Sequence, residues 1–586
     1  MGQVGAERST AHTANESHRD LHHRESLPNT AIDTARDVFR TLIGAGIRDL
    51  VLSPGSRSAP LAYAAAEAET SGKLRIHVRI DERSAGFLAL GMAQASGAPV
   101  AIAMTSGTAV GQLLPAIMEA NHTGTALLVL SADRPEELQG TGASQTTDQR
   151  GLFGVHVRAN LNVPAGTSPT PAVDQALRAL AGTSKSAPGP VQLNLQFRDP
   201  LTPPRDSDLG AQQWAQQIQP GRWAGEQPDL PRWVVPGALP ARRTVVLAGH
   251  DAGPEAQAFA QALGLPLLAE PSSNARFSAQ LITHYRLLLA VAGERIERVV
   301  LFGRPTLSRP VARLLANHNI LSALYQPRAV SWYAPGRRRE RLVADPAQLI
   351  EFAGTAPKGW LDAWRNLDAQ AQRIVRDLQP SKHVNGYQLA QLLWRHRQGP
   401  LFIGSSNIVR DFDLAAAGDD RPGARVYANR GLAGIDGSIS TALGLAIASG
   451  QPTRAVLGDI TFLHEASALL LAPDEPRPTL DVVVYNDAGG AIFSTLEHGA
   501  VHESGRYGQA VERLFATPHT ARLDALAQAY GWKYYCPQNS GELEELLAAP
   551  QRAGVRLIEV RAPREQVRAQ SVQWAEAVGA LPWPER

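Results

Sequence analysis

From residue 30 onward the chain alternates between two hydrophobic periods. Ile32, Ala35, Val38, Phe39, Leu42 and Ile43 recur at three- and four-residue spacing, which predicts an amphipathic helix. Short unbroken apolar runs follow at Leu50–Leu52, Val100–Met104 and Leu127–Leu130 and read as buried strands. Between the last two, Val110, Leu113, Leu114 and Ile117 share one helical face, with Pro115 interrupting its regularity. Strands alternating with helices predict a parallel, doubly wound sheet.

The same alternation then restarts twice. A stretch rich in Pro, Gln and Trp over 203–243 reads as a linker, and Thr244–Gly249 opens a second strand-and-turn unit. That unit ends beyond the basic run Arg337–Arg341, read as a solvated loop. A third unit carries strand-like runs at Leu401–Ile403, Arg425–Tyr427, Arg454–Leu457 and Leu480–Tyr485. The expected architecture is therefore α/β, three doubly wound parallel-sheet domains, with boundaries at 29–202, 244–380 and 381–586. Residues 1–28 are polar and are expected to be a disordered extension, whose scattered histidines read as solvated, with a metal-binding tail as the alternative.

Composition narrows the function classes. Lys plus Arg is 57 against 55 for Asp plus Glu, a formal charge of +2, so nothing global points to nucleic acid or a membrane surface. The one cysteine, Cys536, excludes an intrachain disulfide. No run reaches 18 apolar residues and no charged-then-apolar leader opens the chain, so a cytoplasmic location is expected.

The chemistry gathers at strand ends, where doubly wound sheets bind ligands. Those of the first unit read Ser53-Pro54-Gly55-Ser56-Arg57, Thr105-Ser106-Gly107-Thr108 and Ser131-Ala132-Asp133-Arg134-Pro135. In the third unit Gly458-Asp459-Ile460 ends one strand and Asn486-Asp487-Ala488-Gly489 ends the next. Either half alone is an ordinary turn. Together, two carboxylates and a backbone carbonyl are hard oxygen ligands suited to Mg2+ holding a diphosphate.

This layout resembles the thiamine-diphosphate-dependent enzymes that act on 2-oxoacids. The finer motifs, Ser53 to Leu61, Asp81-Glu82-Arg83, Thr105 to Ala109, Ala132 to Pro135 and Asn429-Arg430-Gly431-x-x-Gly434-Ile435-Asp436-Gly437, resemble one branch of them. In that branch 2-oxoglutarate is decarboxylated and the resulting succinyl carbanion adds to isochorismate, in menaquinone biosynthesis. The resemblance implies a pyrimidine-binding first domain and a diphosphate- and metal-binding third domain. It implies thiamine diphosphate with Mg2+ or Mn2+, bound by Asp459, Asp487 and Gly489 as metal ligands. Ser53, Pro54, Gly55, Thr105, Ser106, Gly107, Ile435, Gly458, Ile460 and Ile492 are implied as cofactor contacts. Glu82 is implied as the catalytic carboxyl, buried against the aminopyrimidine, and Ile435 as the prop for the bent cofactor.

For the two dicarboxylic substrates it implies a cationic pocket of Arg57, Arg134, Arg309, Arg410 and Arg430, helped by Ser56, Gln145 and Ser406. Phe493 and Leu496, with Ile492, are implied as an apolar wall, although the same residues also read as a short core helix. Arginine forks suit carboxylates because they bind both oxygens at once. The chain departs from the pattern at Ile460, where a third glycine is usual, and at Asp487, where many members have Asn. Ser144 stands for an expected Asn and Ser308 for a Lys found in some members. A homodimer or homotetramer with active sites between subunits is also implied. The alternatives are a pyruvate-type decarboxylase or an acetohydroxyacid synthase, for which so many arginines are unneeded, and a relative that binds without catalysis.

Overall fold

Seventeen strands, paired in parallel throughout, form three sheets among the described residues of this computed structural model, which are 30–204, 213–225, 230–334, 336–379, 383–418, 424–564 and 566–584. The N-terminal extension over 1–28 lies outside them. The first sheet contains β1 (Asp49–Leu52), β2 (Arg75–Val78), β3 (Val100–Met104), β4 (Leu127–Asp133), β5 (Asn160–Val163) and β6 (Val191–Gln196). The second contains β7 (Thr244–Ala248), β8 (Leu267–Ala269), β9 (Arg298–Phe302), β10 (Leu321–Tyr325) and β11 (Arg341–Val343). The third contains β12 (Leu401–Ile403), β13 (Val426–Tyr427), β14 (Thr453–Gly458), β15 (Leu480–Asn486), β16 (Lys533–Tyr535) and β17 (Val555–Arg561).

The first and third sheets share one topology, β2-β1-β3-β4-β6-β5 and β13-β12-β14-β15-β17-β16, and the second runs β11-β10-β9-β7-β8. In both outer sheets the order reverses beside the first strand, at β1/β3 and at β12/β14. Such a switch point opens a crevice beyond the carboxyl ends of the strands. The Ser53 and Thr105 ends meet at one crevice, and the Ser406 and Gly458-Asp459 ends at the other.

Strand periodicity decides what each face touches, because successive side chains point to opposite sides. In the third sheet Phe402, Ala455, Leu457, Val482, Val484 and Leu557 join a core shared with the first domain. Their neighbours Leu401, Ile403, Val456, Val483 and Ile558 join a core shared with the second. The third domain is thus packed between the other two.

The contact with the first domain centres on two helices, Glu82–Ser96 and Ser438–Ser449. Asp81 starts the former, its carboxylate accepting from Arg83 N at 2.9 Å and Ser84 N at 3.3 Å, and Gly97 in the left-handed region ends it. Small residues let the helices approach closely. A Cβ on Gly91 would lie 2.1 Å from the Thr441 carbonyl oxygen, and one on Gly444 2.1 Å from that of Leu88. Phe87, Leu88, Met92, Ile439 and Leu443 fill the rest and are buried, each contributing roughly 1.5 to 3 kcal/mol of apolar transfer.

Several expectations are revised. The helix read across Val110 to Ile117 is two, Thr108–Gly111 and Leu114–Thr123, because Pro115 lacks an N–H and sits at the start of the second. The described part of 203–243 is not free chain. Trp214 Nε1 donates to Glu67 at 2.6 Å, Gly221 N donates to the Ile43 carbonyl at 3.1 Å, and Ala215 and Ile218 are buried, so this segment lies against the first domain. The basic run is only partly a loop, since Arg341 opens β11 and Arg338 pairs with Glu340.

Candidate active site

At the third-sheet crevice β14 and β15 pair with Gly458 opposite Tyr485, so Asp459 and Asp487 leave adjacent strand ends. Asp459 is 2 % exposed. Its Oδ1 accepts from Ile460 N at 2.7 Å, and its Oδ2 from Gly489 N at 2.8 Å and from His519 Nε2 at 3.0 Å. The Gly489 bond ties the two strand ends together. Asp487 is buried, and its Oδ1 has no hydrogen-bond partner.

Burial pushes the Asp459 carboxyl above the ordinary range against those donors. The Asp487 carboxyl is pushed up to about 8, by burial first and then by the charge of Asp459. Two buried carboxylates, one with an unpaired oxygen, are the donor set a divalent cation satisfies. Among the described residues no group of three or more His, Cys, Asp or Glu could hold a metal unaided. A cation here must therefore take further oxygens from carbonyls, phosphate or water, which fits a metal–diphosphate cradle. Asn486 is turned away, its Nδ2 donating to Glu559 at 2.6 Å.

Around the cradle, Gly458 faces Ser406, whose hydroxyl is buried without a partner. Arg410 Nη1 donates to the Ser406 carbonyl at 3.4 Å. Burial, with Arg286 and Arg430 nearby, lowers the Arg410 pKa to about 10. Arg430 is 6 % exposed and donates through Nε and Nη2 to Thr306 at 3.2 and 2.9 Å. Arg410 and Arg309 line one cavity of about 360 Å³, with Arg286, Asn407, Asp411 and Leu496. Arg309 is exposed and pairs with Glu497.

Ile435 is half-buried and belongs to none of the apolar cores, so ordinary core packing does not explain it. Ile492, Phe493 and Leu496 lie in and just after a single-turn helix, Ile492–Thr495, with no buried residue. They form a partly open apolar surface, with Phe493 packed on Phe515 at 5.7 Å between centroids.

The first-sheet crevice holds a second group. Ser106 Oγ donates to the Gln145 carbonyl at 3.0 Å, Gln145 Nε2 donates to the Ser106 carbonyl at 3.0 Å, and Arg134 Nη1 reaches Ser106 Oγ and the Gln145 carbonyl at 2.5 Å each. Gly107 N donates to Gln149. Ser53 is buried with its hydroxyl unpartnered, while Pro54, Gly55 and Ser56 are exposed. Arg57 donates to the Phe197 carbonyl at 3.0 Å, close enough to Arg134 to help lower its pKa after burial. Glu82 heads its helix half-buried, with no hydrogen bond to another described residue through its carboxyl.

The structure thus assembles two half-sites. Among the described residues no hydrogen bond joins the candidate side chains of one to those of the other. Sequence reasoning missed His519, in a loop far along the chain, Glu559 on β17 and Asp411 in the helix Ile408–Ala415, which support the cradle and cavity and stand outside the motifs read from the sequence. A larger cavity of about 800 Å³, lined by His122, His250, Arg328, Trp332 and Tyr427, contains neither metal-site carboxylate.

Three parallel-sheet domains with paired switch points and an acidic cradle at the third define a thiamine-diphosphate enzyme. Residues 32–152 match the family described as thiamine pyrophosphate enzyme, N-terminal TPP binding domain. The fold is shared with benzoylformate decarboxylase from Polynucleobacter necessarius, with a TM-score of 0.61 at 14% identity over 91% of this chain and 99% of that one. Within this class the chain belongs to the 2-succinyl-5-enolpyruvyl-6-hydroxy-3-cyclohexene-1-carboxylate synthase family. It is 55% identical to the synthase of Arthrobacter sp. (strain FB24) over 94% of this chain and 92% of the relative. It is 53% identical to that of Paenarthrobacter aurescens (strain TC1), over 94% and 97%.

Proposed function

We propose that the chain catalyses the thiamine-diphosphate-dependent decarboxylation of 2-oxoglutarate and the conjugate addition of the remaining four-carbon unit to isochorismate, in menaquinone biosynthesis. The observation that carries this reading is the Asp459–Asp487 pair, joined through the Gly489 N–H and left with an unpartnered carboxylate oxygen, in a chain of this family.

Asp459, Asp487 and the Gly489 carbonyl hold Mg2+ or Mn2+, and Gly458 with Ile460 borders the diphosphate. When bound, thiamine diphosphate supplies the electron sink for decarboxylation and carbon–carbon bond formation. Glu82 holds a proton at its carboxyl against the aminopyrimidine, and Ser53 to Gly55 and Thr105 to Gly107 shape that end of the site. Ile435 supports the cofactor from the third domain, and Ile492, Phe493 and Leu496 exclude water.

Arg410, Arg430 and Ser406 orient carboxylate groups on the third-domain side. Arg57, Arg134, Ser56 and Gln145 do so on the first-domain side, and Arg309 reaches from the second. Water exclusion protects the reacting carbon from a proton, so that it is captured by the second substrate. The two half-sites are completed between two chains, each dimer building two sites, and the enzyme works in the cytoplasm. The domain boundaries are those of 29–202, 244–380 and 381–586.

The test is stoichiometric. With Mg2+ and thiamine diphosphate present, one CO2 is released per isochorismate consumed. Release of CO2 at the full rate without isochorismate would contradict the assigned acceptor.

A further inference from the structure

Two buried carboxylates outside either half-site act on Arg430, one through the adjoining backbone of Gly431 and Leu432 and the other through Thr306. Glu119, in the helix Leu114–Thr123 of the first domain, is 3 % exposed. Its Oε1 accepts from Gly431 N and its Oε2 from Leu432 N, both at 2.7 Å. The approach is close enough to require glycine, since a Cβ on Gly431 would lie 2.9 Å from the Glu119 carboxylate. Arg304 Nη1 holds the Gly431 carbonyl at 2.6 Å.

Glu270, just after β8, is 1 % exposed, and its Oε1 alone accepts from both Thr306 N and Leu307 N at 2.9 Å. Thr306 is in turn the residue on which Arg430 leans, through Nε and Nη2 to its hydroxyl and Nη2 to its carbonyl. Among the described residues Arg430 Nη1 has no hydrogen-bond partner. One carboxylate thus fixes the backbone that carries Arg430, and the other fixes the surface that aims its guanidinium.

We infer that Glu119 and Glu270 are positioning residues for the synthase reaction: from the first and second domains they lock Arg430 in the orientation in which its free N–H groups meet a substrate carboxylate. This rests on Arg430 being a substrate ligand. Burying two carboxylates is costly unless each is fully hydrogen-bonded. Burial pushes Glu270 up to about 7 and raises Glu119, while the N–H donors and Arg430 oppose the rise. An apolar pair would fill the space without that cost, but it would leave four backbone N–H groups unpaired.

The two glutamates use their oxygens differently, which makes the inference testable. In Glu119→Gln one of the two N–H groups must face an amide NH2, whereas in Glu270→Gln the amide oxygen can still take both. The measurements are KM for each substrate, kcat, cofactor affinity by fluorescence titration, and melting temperature. They are made for Glu119→Gln, Glu270→Gln, Arg430→Ala and the double variant Glu119→Gln/Arg430→Ala.

Glu119→Gln is expected to raise, by about tenfold, the KM of the same substrate that Arg430→Ala affects, with cofactor affinity within about twofold. Glu270→Gln should have a smaller effect, and adding Glu119→Gln to Arg430→Ala should change little further. If Glu119→Gln fails to fold, Glu270→Ala replaces it in the same cycle. Multiplying effects in the double variant, or an unchanged KM in Glu119→Gln, overturn the inference while leaving Arg430 in the site. Arg430→Ala without effect on either KM removes Arg430 from the substrate site, and the inference falls with it.

Discussion

Gly444→Ala places one methyl group where the helices Glu82–Ser96 and Ser438–Ser449 cross. The added Cβ would sit 2.1 Å from the Leu88 carbonyl oxygen and 2.8 Å from Met92 N, whereas ordinary contact begins at 3.4 Å. Relief requires a shift of about 1.3 Å along that line, the difference between 3.4 and 2.1 Å. Both obstructing atoms are backbone, so no rotamer change can make room. Overpacking of this kind costs about 3 kcal/mol at the upper end, and the better helix propensity of alanine returns about 1 kcal/mol. A net loss of about 2 kcal/mol is expected.

The shift also reaches the chemistry, because one helix begins at Glu82 and the other follows the Arg430–Gly437 loop. Misplacing a reacting group by about 1 Å can cost up to about a hundredfold in rate. The assay is thermal melting with steady-state kinetics at saturating cofactor, using Gly44→Ala as control, since a Cβ there meets nothing within 4 Å. Gly444→Ala should melt lower and lose about tenfold to a hundredfold in kcat, with the control unchanged. Wild-type stability and kcat in Gly444→Ala would refute the claim that this crossing positions Glu82.

Glu82→Gln should bind thiamine diphosphate and Mg2+ nearly normally yet lose turnover, as read by fluorescence titration beside kinetics; a near-normal rate would remove the carboxyl from proton handling. Asp459→Ala should fail earlier, with weakened Mg2+ and cofactor binding in calorimetry, because it deletes both a ligand and the acceptor for Gly489 N. Mixing and reassembling those two inactive variants should restore activity, to about a quarter of wild type for random dimers, if each site takes Glu82 from one chain and Asp459 from the other. Arg410→Ala should raise a substrate KM about ten- to a hundredfold, the effect of losing a charge-assisted contact of about 1.5 to 3 kcal/mol, and an unchanged KM would place Arg410 outside the pocket.

The three sheets were legible because buried parallel strands read as short apolar runs between turn residues, as at Val100–Met104 and Leu480–Tyr485. Asp459 and Asp487 were legible because each ends such a run, so the strand pairing that the fold imposes also sets them side by side. His519, Glu119 and Glu270 were not legible. They act through backbone N–H groups or single contacts far along the chain, and no local spacing marks them. Glu82 shows the same limit from the other side: its motif was readable, but the single chain leaves its carboxyl half-buried, where the resemblance implied a buried one. The folding-back of residues 213–225 depends on where tertiary partners lie, which periodicity does not encode.

The most direct test is accurate-mass analysis of the product formed from 2-oxoglutarate labelled with carbon-13 at every position, together with unlabelled isochorismate, Mg2+ and thiamine diphosphate. One adduct carrying four labelled carbons is expected, with the fifth recovered as labelled CO2, and no adduct when any one component is omitted. Labelled succinic semialdehyde accumulating beside untouched isochorismate would contradict the proposed reaction.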